Sequence, residues 1–291
     1  MPEMPEVQGL VEYLRGRILG LRIVRTSVAQ IAALKTFDPQ IAALHEASIV
    51  SVDRAGKFVE IGCRRPTQEQ LHLVFHLAKA GWLRWYEAVP AAPVKPGRSP
   101  IAVRVALSDG SGFDLTEAGT KKSLAVYVAR DTADVPGISR LGPDPLDPGF
   151  TVGTLADLLA GRRTQIKGVL RDQSIVAGIG NAYSDEVLHV ARMSPYALAA
   201  TLAPADVQGL YDAMQATLAD ALATTSGKPP ADLKDVKRRG MRVHGRRGEP
   251  CPACGDTVRS VFFADNSLEY CATCQTGGKV LADRRLSRLL K

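Results

Sequence analysis

No stretch of the 291-residue sequence approaches 18 consecutive apolar residues, and mean hydropathy is −0.03, which excludes a membrane-spanning helix. The opening MPEMPEVQGL lacks the basic residues that begin a secretory signal and carries Glu3 and Glu6 instead, so a cytoplasmic, soluble protein is expected. Glycine and proline number only 26 and 18, which excludes collagen-like and Pro/Gly low-complexity chains. Cysteine is scarce, and four of the five cysteines crowd into one short segment. The chain is 45% hydrophobic and 23% charged, enough apolar material for more than one compact core.

Positive charge is unevenly placed. The formal net charge is +7, and the segment from Lys234 to Lys291, with 13 basic and 6 acidic residues, carries all of it. A local cationic excess is the footprint of a polyanion binder, because Lys and Arg that neutralise phosphates release condensed counterions. A solvated basic tail has the same composition, so charge alone does not decide between them.

The pattern along the chain implies an α+β protein. Val7, Leu10, Val11, Leu14 and Ile18 recur at helical spacing, with Gly20 as a stop. From Leu21 to about Arg130 short apolar or alternating runs follow (LRIV, SIVSV, KFVEIGC, LHLVFHLA, IAVRVAL, FDL, LAVYVA) with turn signals such as Asp109-Gly110 between them; this predicts an antiparallel β-sandwich or barrel. The run through VPG, GPDP and DPG reads as a connector, after which helical periodicity returns. The expected division is an amino-terminal β-sandwich with a leading helix at 1–131, a linker at 132–150, a helical bundle at 151–239 and a small cysteine-bearing unit at 240–291.

Cys251-x2-Cys254, sixteen intervening residues and Cys271-x2-Cys274 have the spacing of a four-thiolate zinc ribbon. Two loops each present a pair of thiolates to one tetrahedral ion, and Val258 to Tyr270 can form a hairpin between them. Two disulfides are disfavoured where cellular thiols keep cysteine reduced. Four thiolates leave no open coordination position, so the single zinc ion is expected to be structural and catalysis must lie elsewhere. Cys63, within an apolar strand, reads as a core residue.

Trimming of Met1 before the small Pro2 would leave a secondary α-amine. Its pKa of about 7.7 to 8.0, against about 10.4 for lysine, gives a neutral fraction larger by a factor on the order of 400 at pH 7. Such an amine suits Schiff-base chemistry, and Glu3 beside it could move protons at the same carbon. Taken alone, these residues equally make a good helix start.

Several ordered motifs extend the comparison over nearly the full length: MPEMPEV, Gly56-Lys57-Phe58, LGPDPL at 141–146, IKGVLRDQSIVAGIGNAYSDEVLHVARMSP at 166–195, and VHGRRGEPCPACG through CATCQ at 243–275. In these the sequence closely resembles the formamidopyrimidine-DNA glycosylase / endonuclease VIII family. The resemblance implies a β-sandwich followed by a helix-two-turn-helix bundle and a zinc finger, acting as a monomer on double-stranded DNA that carries a damaged base or abasic site. It implies DNA repair by glycosylase and AP lyase chemistry, with Pro2 attacking C1′ of the damaged nucleotide, Glu3 assisting ring opening and base release, and Lys57 holding a phosphate near the lesion.

The turn Gly178-Ile179-Gly180-Asn181 lies between helical stretches, so its backbone can approach a ligand while Asn181 caps the next helix, whose first N–H groups form an anion site. With Arg162, Arg163 and Lys167 upstream, it reads as a phosphate clamp. Tyr183 and Glu186 read as structural.

Three departures bear on specificity. The family's finger arginine, five residues before the third cysteine, is Asn266 here; a neutral amide replaces a charged fork at the position expected to face the extruded nucleotide. The methionine of the family's HLGMxG motif is Lys79, a poor apolar wedge. The loop that usually supplies an Arg-Phe pair is here 116–123 and holds no aromatic residue. Trp82 and Trp85 could stack on a base, although packing is the simpler use. These departures keep open a non-catalytic relative that only recognises damaged DNA, and an RNA-directed zinc-ribbon module is a third reading. The site of action would be nucleoid DNA.

Overall fold

The computed structural model describes residues 1–95, 97, 99–263 and 267–282. The chain forms two compact units, one of residues 1–140 with 225–234 and the other of 141–224 with 235–291.

In the first unit, helix α1 (Met4–Ile18) begins where Glu3 turns extended and donates its N–H to Glu6 Oε2 at 2.8 Å. Pro5 sits in the first turn, and Arg15 and Arg17 occupy the last, where the helix dipole favours cations. Val7, Leu10, Val11, Leu14 and Ile18 form its buried stripe, as their spacing predicts. The helix packs on β2 (Ser48–Ala55) and β3 (Phe58–Arg64).

Two four-stranded antiparallel sheets follow. One runs β2-β3-β4-β8, with β4 (Gln70–His76) and β8 (Ala125–Ala129). The other runs β1-β6-β7-β5, from β1 (Ile23–Val28), β6 (Ile101–Leu107), β7 (Gly112–Glu117) and β5 (Gly81–Tyr86). Alternation places Leu71, Leu73 and Phe75 of β4 in one core with Leu83, Val103, Val105, Phe113 and Leu115. Phe75 and Phe113 meet from opposite sheets at 6.3 Å between ring centroids.

Strand β5 is absent from the seven apolar runs of the sequence. Its register on β7 pairs Trp82 with Thr116 and Trp85 with Phe113, and only Leu83 and Gly81 are buried. Both tryptophans pack against the core. Trp82 Nε1 donates to the Pro230 carbonyl at 3.0 Å, while Trp85 meets the edge of Tyr13 at 5.9 Å and donates to Glu87 Oε1 at 2.9 Å. Packing, the simpler of their two readings, accounts for both.

Segment 225–234 completes this unit. Thr225 Oγ1 donates to the Pro5 carbonyl at 3.2 Å, and Leu233 is fully buried in the sandwich core.

The second unit contains α2 (Val152–Leu159), α3 (Ile166–Arg171), α4 (Asn181–Val190), most of α5 (Pro204–Thr225) and of α6 (Leu233–Gly240), the hairpin β9 (Val258–Phe262) and β10 (Ser267–Cys271), and the short α7 (Ala272–Thr276). Thr151 caps α2, its Oγ1 accepting from Thr154 N–H at 3.2 Å. The LGPDPL motif straps the turn that precedes α4. Gly142 N–H donates to Gln173 O at 2.8 Å and Ala177 N–H to Pro143 O at 3.0 Å. A Cβ at Gly142 would lie 2.4 Å from the Ile175 carbonyl oxygen, which explains glycine there. Among the described residues, no helix is long and apolar enough to cross a membrane.

Candidate active site and nucleic-acid interface

In the first unit, Pro2 and Glu3 are both buried at the start of α1. Lys57 occupies the tight β2–β3 turn beside Gly56, whose φ of +55° suits glycine, and is 7% exposed. His76, which sequence reasoning passed over, lies next to it. Phe58 pairs with His76 across β3–β4, their rings 4.7 Å apart, and His76 Nδ1 accepts the Ala78 N–H at 3.1 Å. Burial, together with the Lys57 charge, pulls His76 down to about 4, so the ring is neutral at physiological pH with its proton on Nε2.

The turn after His76 is tight. Ala78 adopts φ +51°, and a Cβ on Gly81 would lie 2.2 Å from the Leu77 carbonyl oxygen. Lys79 is exposed at its tip. Across β5–β7, the loop at 116–123 is organised by buried Glu117. Its Oε1 accepts N–H groups of Ser123 at 2.7 Å and Leu124 at 2.9 Å, while Lys122 Nζ donates to the Glu117 carbonyl at 2.6 Å.

In the second unit, Gly178 takes φ +88° and the Gln173 side chain braces the turn, accepting Gly178 N–H at 2.9 Å and donating to Ile179 O at 2.7 Å. Gly180, not Asn181, is the N-cap of α4. Asn181 is instead the first helical residue, and its Nδ2 donates to the Ser267 carbonyl of β10 at 2.7 Å. Arg162 and Arg163 are exposed ahead of α3. Lys167, by contrast, is 5% exposed. Its Nζ donates to Asp185 Oδ1 at 2.6 Å, Ser184 Oγ at 2.8 Å and Asn181 O at 3.1 Å.

This buried ion pair extends further. Asp185 Oδ2 lies 2.8 Å from His244 Nδ1, which also lies 2.9 Å from Glu269 Oε2 on β10. Burial alone would depress His244, but hydrogen bonds to Asp185 and Glu269 outweigh it and push it up to about 9. A lysine ammonium and a histidine imidazolium thus alternate with two carboxylates. Glu186 accepts backbone N–H groups of Arg242, Val243 and His244 at 2.6, 3.0 and 2.8 Å. It is structural, as read from sequence, and it fixes the approach to the cysteine unit.

The thiols of Cys251, Cys254, Cys271 and Cys274 converge within 4.8 Å of one another. Cys251–Cys274 and Cys254–Cys271 sulfurs are 3.9 and 3.4 Å apart. A tetrahedron with Zn–S near 2.3 Å has edges of about 3.8 Å, so the four sulfurs fit one structural zinc. Outside the ring, His189 Nε2 approaches Cys251 Sγ at 3.2 Å; burial, with the charges of Arg242 and Arg192, lowers the His189 pKa. Cys63 is buried and its thiol is pushed up to about 12, an inert core residue. Asn266 and the basic Arg284, Arg285, Arg288 and Lys291 lie outside the described residues.

Comparison with known proteins matches each region. Residues 1–122 match the formamidopyrimidine-DNA glycosylase N-terminal domain, 141–229 the H2TH domain of the same enzymes, and 248–277 the zinc finger found in FPG and IleRS. An uncharacterized formamidopyrimidine-DNA glycosylase-like protein of Mycobacterium tuberculosis is 57% identical over 55% of this chain and 99% of its own. The formamidopyrimidine-DNA glycosylase of Symbiobacterium thermophilum is 33% identical over 98% of this chain and 93% of its own, and that of Moorella thermoacetica 34% over 90% and 94%. Among solved structures, the MutM (Fpg) protein of Thermus thermophilus superposes with a TM-score of 0.78 at 27% identity, covering 96% of this chain and all of that one. Lactococcus lactis Fpg bound to abasic-site DNA, at 22% identity, shares the fold with a TM-score of 0.81 over 94% of this chain and 99% of its own. With matching segments at both ends and the middle, and relatives of this identity over almost the whole sequence, the protein belongs to the formamidopyrimidine-DNA glycosylase family.

Proposed function

We propose that this protein is a DNA-repair glycosylase and AP lyase that acts as a monomer on duplex DNA carrying a damaged base or an abasic site, within the bacterial nucleoid. The observation that carries the reading is the setting of Pro2 and Glu3: both are buried at the head of a helix packed on the two strands that present Lys57. The reading requires that Met1 be removed so that Pro2 is the amino end.

A lesion sugar is unreachable inside the base stack, so the nucleotide must be extruded, and a damaged or missing base makes that step cheaper. At an abasic site the Pro2 nitrogen adds to the C1′ aldehyde and water leaves, giving an iminium ion. A C2′ proton is then lost, the 3′ phosphate departs by β-elimination, and hydrolysis returns the amine. At a damaged base the same nitrogen displaces the base from C1′, the base leaving with the proton the amine gives up; Glu3 then delivers a proton to the sugar ring oxygen as its bond to C1′ breaks, giving the same iminium ion. Lys57 holds the neighbouring phosphate, and neutral His76 beside it adds an N–H without further charge.

Duplex positioning falls to the second unit. Arg162 and Arg163, exposed ahead of α3, meet backbone phosphates. Lys167 acts from beneath: its ammonium holds the Asn181 carbonyl and Ser184, fixing the start of α4. Asn266, at the sequence position of the family's finger arginine, lies outside the described residues.

The test is borohydride trapping on an abasic-site duplex, with intact mass confirming loss of Met1. The expected result is a covalent protein–DNA adduct that disappears in Pro2→Gly. Tight binding of damaged duplex without adduct or nicking would overturn the enzymatic reading in favour of a non-catalytic damage-recognition protein, the outcome that exposed Lys79 in place of an apolar wedge would favour.

A further inference from the structure

The ten-residue helix α4 starts at Asn181 and ends beside Cys251 of the four-cysteine centre. Asn181 and His189 are separated by eight residues, about 12 Å along the axis. The His189 ring is 4% exposed, and its Nε2 lies 3.2 Å from Cys251 Sγ. Its Nδ1 is buried and has no hydrogen-bond partner among the described residues. A neutral imidazole carries one proton, and placing it on Nδ1 would leave a buried donor unused. The proton therefore belongs on Nε2, aimed at sulfur.

The receiving sulfur has a particular need. Cys254 is exposed and Cys274 half-exposed, so water can solvate their thiolates, whereas Cys251 and Cys271 are 3% and 0% exposed, and of these two Cys251 is the one that His189 Nε2 approaches. Four thiolates around a divalent zinc leave two excess negative charges, and a dry thiolate holding part of that charge gains most from an N–H donor. The donor comes from a helix 62 residues earlier in sequence.

We infer that His189 is a fifth member of the zinc centre: a positioning residue that donates Nε2–H to the Cys251 thiolate, strengthens zinc retention and couples the metal to the helix that begins at Asn181. It does not ligate the ion. Residues supporting metal ligands from outside the coordination sphere typically change metal affinity by about 10–100-fold, and the sulfur's electron density falls as it accepts the bond.

The inference rests on zinc occupancy of the four cysteines, and the experiment separates the two. Zinc content is measured first on the full chain; a protein purified without about one zinc per chain overturns both the occupancy and the role of His189. With zinc present, His189→Phe keeps the ring volume and removes the donor, while His189→Gln offers an amide N–H at similar reach. The expected result is zinc transfer to a chelator about 10–100-fold faster in His189→Phe, largely restored in His189→Gln. In the cobalt-substituted protein the thiolate-to-metal absorption band shifts in Phe and returns in Gln, a signature that loosened packing alone would not produce. Unchanged zinc transfer and cobalt spectrum in His189→Phe would overturn the inference. Should that variant fail to fold, nitrogen-15 NMR of the zinc-loaded wild type decides: a proton on Nε2 with a bare Nδ1 supports it, and the opposite tautomer overturns it.

Discussion

The sandwich and the cysteine unit are stabilised in opposite ways. The sandwich shares one aliphatic and aromatic core running from Val7 to Val128 and on to Leu233, and the Arg104–Asp114 fork, at 2.7 and 2.9 Å, is buried on the other face of β6 and β7. The cysteine unit has two small clusters, Val243-Cys251-Val258-Cys271 and Val261-Leu268-Tyr270-Ala272. Its remaining order comes from a metal, from buried charge and from backbone donors captured by Glu186. A segment of this size cannot bury enough apolar surface to offset its chain entropy, so directional bonds carry the load that dispersion and hydrophobic burial carry in the sandwich.

Metal removal should separate the two regions most sharply. Structural zinc contributes about 10–16 kcal/mol of apparent binding free energy in small metal-folded units. Chelation is expected to open the amides of β9 and β10 to hydrogen exchange while those of β3 and β4 stay protected; joint opening would show that the regions are not energetically distinct. Phe75→Ala is expected to have the converse selectivity. It should lower the denaturation free energy of the sandwich by about 3–5 kcal/mol through lost burial and a cavity, with zinc content unchanged. Lys167→Met leaves Asp185 buried beside a single cation and should cost about 3 kcal/mol in thermal or urea unfolding of the second unit, much of it recovered by adding Asp185→Asn. The remaining prediction is a pH dependence. His244 is raised in the folded state to about 9, from an unfolded value of about 6.5, so its contribution is fully present below about pH 6.5 and declines as pH rises through 9. Hydrogen exchange at β10 should accelerate over that window in the wild type, and His244→Phe should flatten the dependence.

Much of this was legible in the sequence, and the rest failed for identifiable reasons. The stripe of α1, the thiolate spacing and the return of helical period after the Pro/Gly connector are local patterns, and local patterns survive in one dimension. Strand β5 escaped because Trp82, Arg84 and Trp85 make a poor apolar run; its identity comes from pairing with β7. Asn181 looked like a helix cap because the sequence gives no sign that Ser267, 86 residues on, claims its side chain. Lys167 reads in sequence as one cation of a phosphate clamp beside Arg162 and Arg163, yet its ammonium is buried on Asp185 and Ser184. Only the fold reveals that residues 167, 185, 244 and 269 form one buried network. His189 likewise reads as a polar residue on a helix until Cys251 is brought against it.

The chain's return to its first unit between residues 225 and 234 has a consequence for synthesis. Leu233 packs in a core otherwise complete by residue 128, and the Thr225 hydroxyl closes on a carbonyl at the very start of the sequence. A nascent chain emerging from the ribosome must therefore hold an incomplete amino-terminal domain for about a hundred further residues, several seconds to tens of seconds at ordinary elongation rates. Over that interval the apolar face awaiting Leu233 is open, and a message truncated before that point would yield a sandwich with a permanent gap where the late leucine belongs.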